Sequence, residues 1–317
     1  MTSSQLTPAD IVEAARRLGD RVRRTPIMSD PEIDDLLGAS VFFKCEQLQL
    51  TGSFKLRGAS HAVGLLPEDC PGVATHSSGN HGAALARAAS ERGFEAHVVM
   101  PENAVRFKVD AVRRNGGQVH FCAPNQAARE AGLAAWVERG FEAVPPYDDD
   151  RIIAGQGSCA LEMLEQVDGL DTLLAPVGGG GLLAGTALAA ATREKGIEVI
   201  GAEPEGADDT ARSLALGRRV TNHQPETIAD GLRALIGERN LGIIAERVTE
   251  VITVPETTIV DAMALIAERL KQVIEPSGAV SVAAMLKDPE RWRGRRIGVI
   301  LSGGNLDAER LVEAWRR

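Results

Sequence analysis

A lysine stands in the segment TGSFKLRGA, residues 51–59, directly after the apolar run VFFKCEQLQL. A charged amine close to a protein core is costly, and burial lowers its pKa, which turns a lysine into a nucleophile or a Schiff-base partner. Lys55 is therefore the first candidate for catalysis. The alternative is a structural lysine whose stem is buried while its amine reaches solvent.

A second candidate for chemistry is the segment PVGGGGLLAG, residues 176–185, which links an apolar strand-like run to a helical stretch rich in Ala and Leu. Consecutive glycines let several backbone amides turn toward one ligand, and the helix start adds partial positive charge. A phosphate is predicted at Gly178, Gly179, Gly180 and Gly181. A closely packed turn is the alternative. The match to G-x-G-x-x-A, with Glu203 after the next strand, also leaves an NAD-dependent oxidoreductase as a competing hypothesis.

Two further loops place small polar residues at predicted strand ends. THSSGNHG, residues 75–82, combines amides and hydroxyls that suit a carboxylate, although a serine N-cap with a glycine turn explains it as well. LSGGN, residues 301–305, brings Ser302 to a strand end, where an uncharged hydroxyl can bond a ring nitrogen. A plain turn is the alternative there.

An acidic segment, GAEPEGADD, residues 201–209, follows another predicted strand. Its carboxylates are Glu203, Glu205, Asp208 and Asp209. Several oxygen ligands so close in sequence can hold a hard divalent cation when carbonyls and water complete the shell. The alternative is a set of solvated surface acids.

The elements that must position these loops alternate along the chain. GVATH, FEAHVVMP and GQVHFC read as strands, each followed by a helical stretch, and a second such series runs from SCALEMLEQV to RRIGVILSGGN. This alternation predicts an α/β fold with two doubly wound, mostly parallel sheets. We predict a large domain from residues 1–71 and 150–317 and a small domain from residues 72–149. The ligand cleft is expected between them.

Composition narrows the class of protein. The 317 residues carry 44 acidic and 35 basic side chains and only 3% aromatic residues, so no basic surface for nucleic acid is indicated. No apolar run is long enough to span a membrane and no signal-peptide pattern is seen, which favours a cytoplasmic protein without membrane contact. The four cysteines have no metal-ligand spacing and are expected to be reduced thiols.

The chain resembles the fold-type II pyridoxal-phosphate enzymes, within them the group of serine/threonine dehydratases and serine racemases. The resemblance covers nearly the whole chain through TGSFKLRGA, SSGNHG, IAGQGS, PVGGGG, EPEGADD, EPSGAV and LSGGN, in that order. It implies a tryptophan synthase β-like fold with the active site in the cleft. It also implies pyridoxal 5′-phosphate (PLP) as cofactor, an amino-acid substrate and a homodimer.

The resemblance also implies roles for the residues singled out above. Lys55 would hold PLP as a Schiff base, with Phe54 against the ring and Asn80 on the phenolic oxygen. Ser302 would face the pyridine nitrogen, and the backbone of Gly231 would cover the other face of the ring. The phosphate would lie on Gly178, Gly179, Gly180 and Gly181.

The same resemblance places the substrate and a metal ion. The substrate carboxylate would be held by Ser77, Ser78, Gly79, Asn80 and His81. Ser78 matches the serine that racemases of the family use as acid and base opposite the lysine. A Mg²⁺ or Mn²⁺ ion would be bound by Glu203, the carbonyl of Ala207 and Asp209.

These expectations predict a PLP-dependent ammonia-lyase. It would remove the Cα proton and the β-hydroxyl of an amino acid such as L-threonine or L-serine, giving a 2-oxo acid and ammonia. Serine racemisation and dehydration of threo-3-hydroxyaspartate are the alternatives, and β-replacement fits the loop motifs less well. Ala234 lacks the hydroxyl that serine racemases place there, and no arginine is clearly positioned for their extra carboxylate contact. The sequence therefore does not select one substrate.

Overall fold

The computed structural model describes residues 6–77 and 79–307. In these residues the α-helices are α1 (Pro8–Leu18), α2 (Pro31–Leu37), α3 (Lys55–Gly64), α4 (Asn80–Glu91), α5 (Arg106–Arg114), α6 (Gln126–Val137), α7 (Asp150–Gln166), α8 (Gly181–Ala190), α9 (Asp209–Leu216), α10 (Glu238–Arg247), α11 (Glu256–Leu270) and α12 (Pro276–Lys287). The strands are β1 (Ile27–Met28), β2 (Ser40–Cys45), β3 (Gly72–His76), β4 (Glu95–Pro101), β5 (Gln118–Cys122), β6 (Glu142–Ala143), β7 (Thr172–Pro176), β8 (Glu198–Pro204), β9 (Glu250–Val254) and β10 (Arg296–Leu301).

The strands of the described residues form two sheets. The larger has the order β1-β2-β10-β7-β8-β9 and is parallel except for β1, which pairs antiparallel with β2. The smaller has the order β5-β4-β3-β6 and is parallel throughout. The predicted fold class is confirmed. All strands of the smaller sheet lie within residues 72–149 and all strands of the larger sheet lie outside them, although the division into two domains stays a prediction.

Successive residues of the central strands of the larger sheet face opposite sides. In β7, Leu174 packs into a core with α2, α11 and α12, whereas Leu173 and Ala175 pack into a core with α1, α7, α8 and α10. A third core joins α3 and α4 to the smaller sheet. Strands covered on both faces carry no polar face, which is why they read as continuous apolar runs. Within the described residues, no helix has both the length and the apolar character needed to cross a membrane.

The beginning of α3 is fixed beside the end of β10. The N–H of Phe54 donates to the carbonyl of Ser302 at 3.0 Å, and Ser53 forms an isolated antiparallel bridge with Gly303. Lys55, the first residue of α3, is thereby held next to the loop that follows β10.

A buried ion-pair network secures α3 from its other side. Both Nε and Nη2 of Arg57 donate to the carboxylate of Glu46, at 2.8 and 2.7 Å, and Nη1 donates to Glu162 at 2.9 Å. Nζ of Lys44 donates to the same Glu162 at 2.7 Å. Two cations and two carboxylates therefore balance. Removing one member of such a network costs about 3–5 kcal/mol, because it leaves an uncompensated charge in the core.

Candidate active site

A cavity of about 1010 Å³ lies between the two sheets, at the carboxyl ends of the strands. It brings together all of the predicted cofactor residues: Phe54, Lys55, Asn80, Gly178, Gly179, Gly180, Gly181, Gly231 and Ser302. It is also lined by Ser77, Gly79 and His81 of the predicted substrate loop. Ser78 lies outside the described residues. Loops that are far apart in sequence meet here because parallel strands all end at one edge of their sheet.

Lys55 presents its amine to this cavity. Its Nζ donates to the carbonyl of Pro146 at 2.9 Å and lies 5.0 Å from the ring centroid of Phe54. Burial lowers the pKa of Lys55 to about 8, although the nearby Glu275 carboxyl acts in the opposite direction. A sizeable fraction of the amine is therefore neutral near neutral pH, as a nucleophile or a base requires.

The glycine loop is both a closely packed turn and a site where a phosphate can bind. Its residues pack closely, since a Cβ on Gly179 would lie 2.3 Å from Cγ of Tyr147 and one on Gly178 would lie 2.9 Å from Cα of Leu232. Gly180, the N-cap of α8, has a φ of +95°, which favours glycine, and the helix has no side-chain cap. The first N–H groups of α8 are therefore available to an anion in the cavity.

The side chains of the predicted substrate loop are partly engaged by the protein itself. The N–H groups of Gly79 and Gly82 donate to Oγ of Ser77 at 3.3 and 3.0 Å, so Ser77 accepts from one of the first amides of α4 although the N-cap is Gly79 and not a serine. Nε2 of His81 donates to the carbonyl of Val144 at 3.0 Å, and burial lowers the pKa of His81 to about 3. His81 is therefore a neutral, internally bonded imidazole.

Asn80 is held by two residues whose roles the sequence did not indicate. Its Nδ2 donates to Oε1 of Glu275 at 2.8 Å, and its Oδ1 accepts from Nδ2 of Asn305 at 2.9 Å. Burial, and then the negative charge of Asp230, raise the pKa of Glu275 to about 8. Glu275 is the first residue of the motif EPSGAV and Asn305 is the last residue of LSGGN, so both motifs could have pointed to them.

Gly231 and Ser302 also line the cavity. The N–H of Gly231 donates to Oγ of Ser277 at 3.0 Å, which fixes the backbone that lines the cavity. Ser302 is buried and borders the cavity directly after β10. Ala234, which lacks a hydroxyl, is part of the same lining.

One arginine of α6, which the sequence did not place at the site, lines the cavity. The residue is Arg129, whose Nε is buried and has no hydrogen-bond partner among the residues that the structure describes. The other cations of the lining have partners: Lys108 pairs with Asp230, Arg219 donates to the carbonyl of Ile236, and Arg233 donates to the carbonyl of Thr227. Arg129 was missed because nothing in the sequence shows which face of its helix meets the cleft.

The acidic loop lies at the end of β8 and does not line the cavity. Glu203 is buried; its Oε1 accepts from the N–H of Ala211 at 2.7 Å, and its Oε2 has no partner in the described part of the chain. Oδ2 of Asp209 accepts from the N–H of Ile236 at 2.8 Å, and the adjoining Ala207 is buried. Burial, opposed by hydrogen bonding and reinforced by Asp209, raises the pKa of Glu203 to about 8.

The remaining acids of that loop behave as surface residues. Glu205 faces Lys287 at 3.4 Å, and Asp208 pairs with Arg212 at 2.7 Å, both partly exposed. In the part of the chain that the structure describes, no cluster of three or more His, Cys, Asp or Glu side chains is arranged around a common point. A cation here would depend on two carboxylates and a backbone carbonyl.

Residues 18–303 match the family model described as pyridoxal-phosphate dependent enzyme. The chain belongs to this family. The competing hypothesis of an NAD-dependent oxidoreductase is therefore dropped, and its proposed ribose ligand, Glu203, lies outside the cavity lining.

Named relatives of this PLP-dependent enzyme cover almost its whole length. β-Hydroxyaspartate dehydratase from Paracoccus denitrificans is 46% identical over 308 residues, covering 96% of this chain and 98% of that protein. L-threo-3-hydroxyaspartate ammonia-lyase from Saccharomyces cerevisiae is 40% identical over 308 residues, covering 96% of this chain and 94% of that protein. The crystal structure of serine racemase from Dictyostelium discoideum has a TM-score of 0.91 at 43% identity, covering 95% of this chain and 99% of that one.

The residues of the cavity fit PLP. An amine with a lowered pKa suits the aldehyde of the cofactor, the uncapped start of α8 suits its phosphate, and the buried hydroxyl of Ser302 suits a ring nitrogen. Lys55, Gly180 and Ser302 border one cavity, so a single ligand can reach all three.

The lowered pKa of Lys55 gives a testable pH dependence. Only the neutral amine attacks an aldehyde, so capture of PLP by cofactor-free protein should accelerate from about pH 7 to about pH 9, with half of the change near pH 8. The growth of the visible absorption band measures the rate. The same measurement with a simple alkyl amine gives the part of the pH dependence that comes from ionisation of PLP itself. A protein profile that follows the alkyl amine, whose own pKa is near that of ordinary lysine, would contradict the lowered value.

Proposed function

We propose that this PLP-dependent enzyme is an ammonia-lyase for β-hydroxy amino acids that carry a second carboxylate, the class of 3-hydroxyaspartate. The observation that carries the proposal is the guanidinium of Arg129, which lines the cavity of Lys55 and whose buried Nε has no partner within residues 6–77 and 79–307. Arg129 is half-buried, and a buried Nε without a partner is unfavourable; a carboxylate can satisfy it with two parallel hydrogen bonds to Nε and a terminal nitrogen. Two relatives named for hydroxyaspartate chemistry support this substrate class.

The reaction divides between the cofactor and the residues around it. PLP supplies the electron sink that makes the Cα proton acidic. The neutral amine of Lys55 takes that proton. The bond from Cβ to its hydroxyl then breaks with its electron pair on the oxygen, and the proton held by Lys55 is returned to that oxygen, so the hydroxyl leaves as water. The released enamine tautomerises and is hydrolysed, giving a 2-oxo acid and ammonia. Backbone donors of the loop beginning at Ser77 would orient the α-carboxylate, and Arg129 would orient the distal one.

Racemisation remains a prediction that the same assay addresses. It rests on the resemblance to serine racemases and on Ser78, which matches their second acid and base. The homodimer, the cytoplasmic location and the division into two domains likewise stay predictions.

The experiment is ammonia release by PLP-loaded protein from the stereoisomers of 3-hydroxyaspartate, L-serine, L-threonine and D-serine, with chiral analysis of the unreacted substrate. We expect kcat/KM for a hydroxyaspartate isomer to exceed that for L-serine by about tenfold or more, as one charge-assisted carboxylate contact provides. A preference for L-serine or L-threonine would refute the proposal that the substrate carries a second carboxylate. Inversion without ammonia would replace the lyase by a racemase.

We further propose that Mg²⁺ or Mn²⁺ binds Glu203, the carbonyl of Ala207 and Asp209. The support is the buried Oε2 of Glu203, which lacks a partner among the residues described, close to the buried carboxylate of Asp209. A hard cation would satisfy that oxygen and favour the ionised form of Glu203.

Removal of the cation should destabilise the protein. We expect EDTA to lower Tm by about 5 °C and excess Mg²⁺ to restore it, because a ligand at about a hundred times its Kd adds about 2.7 kcal/mol. Glu203→Gln should abolish the response to EDTA, whereas Glu205→Gln, a change of the same kind at an exposed acid of the same loop, should keep it. If EDTA does not change the Tm of the wild-type protein, the proposal is wrong and Glu203 and Asp209 have a structural role only.

A further inference from the structure

The side chain of Asn305 links the segment before Lys55 to Asn80. Its Nδ2 donates to the carbonyl of Thr51 at 2.8 Å and to Oδ1 of Asn80 at 2.9 Å. A backbone carbonyl can only accept a hydrogen bond, so Thr51 decides which end of the Asn305 amide is the nitrogen. Both N–H bonds of Asn305 are thereby used, one on each acceptor.

The orientation of Asn305 determines that of Asn80. Because the nitrogen of Asn305 faces Asn80, the atom of Asn80 that meets it must be the oxygen. The nitrogen of Asn80 then lies on the other side, where it donates one N–H to Glu275 at 2.8 Å. An amide nitrogen has two hydrogens, and the second one of Asn80 is left for a ligand of the cavity that Asn80 lines.

The direction of this amide matters for PLP. The phenolic oxygen of the cofactor accepts hydrogen bonds, so the residue beside it must offer a donor. With the amide turned over, the oxygen of Asn80 would face the carboxyl of Glu275 and its nitrogen would face the nitrogen of Asn305. A protonated Glu275 could still donate to that oxygen, since burial raises its pKa, but two amide nitrogens cannot hydrogen-bond to each other, so the contact with Asn305 decides the orientation.

We propose that Asn305 is a positioning residue for the cofactor, acting through Asn80 by fixing its amide so that a donor is available to the cavity of Lys55. The inference rests on membership of the PLP family and on the proposed role of Asn80. It does not depend on the substrate. The bonds involved also cross the cleft, since Asn80 begins α4 beside the smaller sheet whereas Asn305 follows β10 of the larger sheet.

The segment before Lys55 is shaped around Asn305. Gly52 has a φ of +75°, and a Cβ there would lie 2.3 Å from Oδ1 of Asn305. The N–H of Gly304 donates to the carbonyl of Gly52 at 3.0 Å, which keeps the two loops together. A larger residue at Gly52 would displace the amide of Asn305. The glycine is therefore independent support for a defined position of the Asn305 side chain.

The test measures the Kd of PLP and the visible spectrum of the bound cofactor, both without substrate. Asn305→Ala is expected to raise Kd about tenfold and to change the position or the relative intensity of the visible band, because a donor to a charged oxygen is no longer held in place. Asn80→Ala should do the same. The double variant should be no worse than Asn80→Ala alone, because Asn305 acts only through Asn80.

Controls separate this role from a general structural one. Asn115→Ala removes an asparagine that donates to the carbonyl of Ala111 at 2.8 Å, remote from the cavity, and should leave Kd and spectrum unchanged. Gly52→Ala, which displaces Asn305 without removing it, should reproduce the change in spectrum and so serves if Asn305→Ala fails to fold. The proposal would be overturned if the losses in PLP affinity multiply in the double variant. It would also be overturned if folded Asn305→Ala or Gly52→Ala has the spectrum of the wild type. Absence of ammonia release with normal PLP binding would defeat only the proposed reaction.

Discussion

Replacement of Lys55 by alanine is expected to lower ammonia release about 10⁴-fold and to abolish the visible absorption band of the bound cofactor. The amine of Lys55 has two tasks in the proposed reaction, because it joins PLP to the protein and then takes the Cα proton. Its lowered pKa reflects the burial that makes both tasks possible. Steady-state ammonia release and an absorption spectrum of the purified variant, saturated with PLP, measure the two losses.

A surface lysine provides the comparison for this result. Lys195, which pairs with Asp171 at 3.1 Å on an exposed part of the molecule, should be replaceable by alanine without effect on either reading. A loss of stability should not accompany Lys55→Ala, since the change removes a desolvated amine whose hydrogen bond is to a single carbonyl. A yellow, active Lys55→Ala protein would end the assignment of this residue.

The cofactor end of the cavity could be predicted because its residues lie where strands of parallel sheets end. The loop after β7, the loop after β10 and the loop after β3 each carry a motif, and the sheet topology brings them to one cleft. Lys55 stood out because it is a polar residue in an apolar segment. The place of these loops needed only the order of strands and helices, which local sequence determines well, whereas the roles of Phe54, Asn80 and Gly231 came from the family resemblance.

The rest of the site depends on contacts between distant segments. Asn305 and Glu275 act on Asn80 across the cleft, so their importance appears only when the two sheets are placed against each other. The closeness of Tyr147 to Gly179 likewise depends on how the chain returns from the smaller sheet. Arg129 belongs to an Ala-rich helix in which no pattern distinguishes the cavity side.

Arg129 is the residue on which the substrate class depends, and Arg129→Gln is expected to lower kcat/KM for 3-hydroxyaspartate about 100-fold, mainly through KM. Glutamine retains a donor but loses the charge and the paired geometry that bind a carboxylate, a difference of about 2.7 kcal/mol for two decades in rate. Activity on L-serine, which has no second carboxylate, should change less than about threefold. Parallel kinetics on the two substrates measure this difference directly.

The control for Arg129→Gln is a second arginine of the same cavity. Arg233 lines the cavity, but its Nε donates to the carbonyl of Thr227 at 3.1 Å, so its guanidinium already has a partner. Arg233→Gln should therefore reduce turnover of 3-hydroxyaspartate far less than Arg129→Gln does. Equal losses on both substrates with Arg129→Gln would mean that the residue supports the site without selecting its ligand. A larger loss on hydroxyaspartate with Arg233→Gln than with Arg129→Gln would assign the distal carboxylate to Arg233 instead.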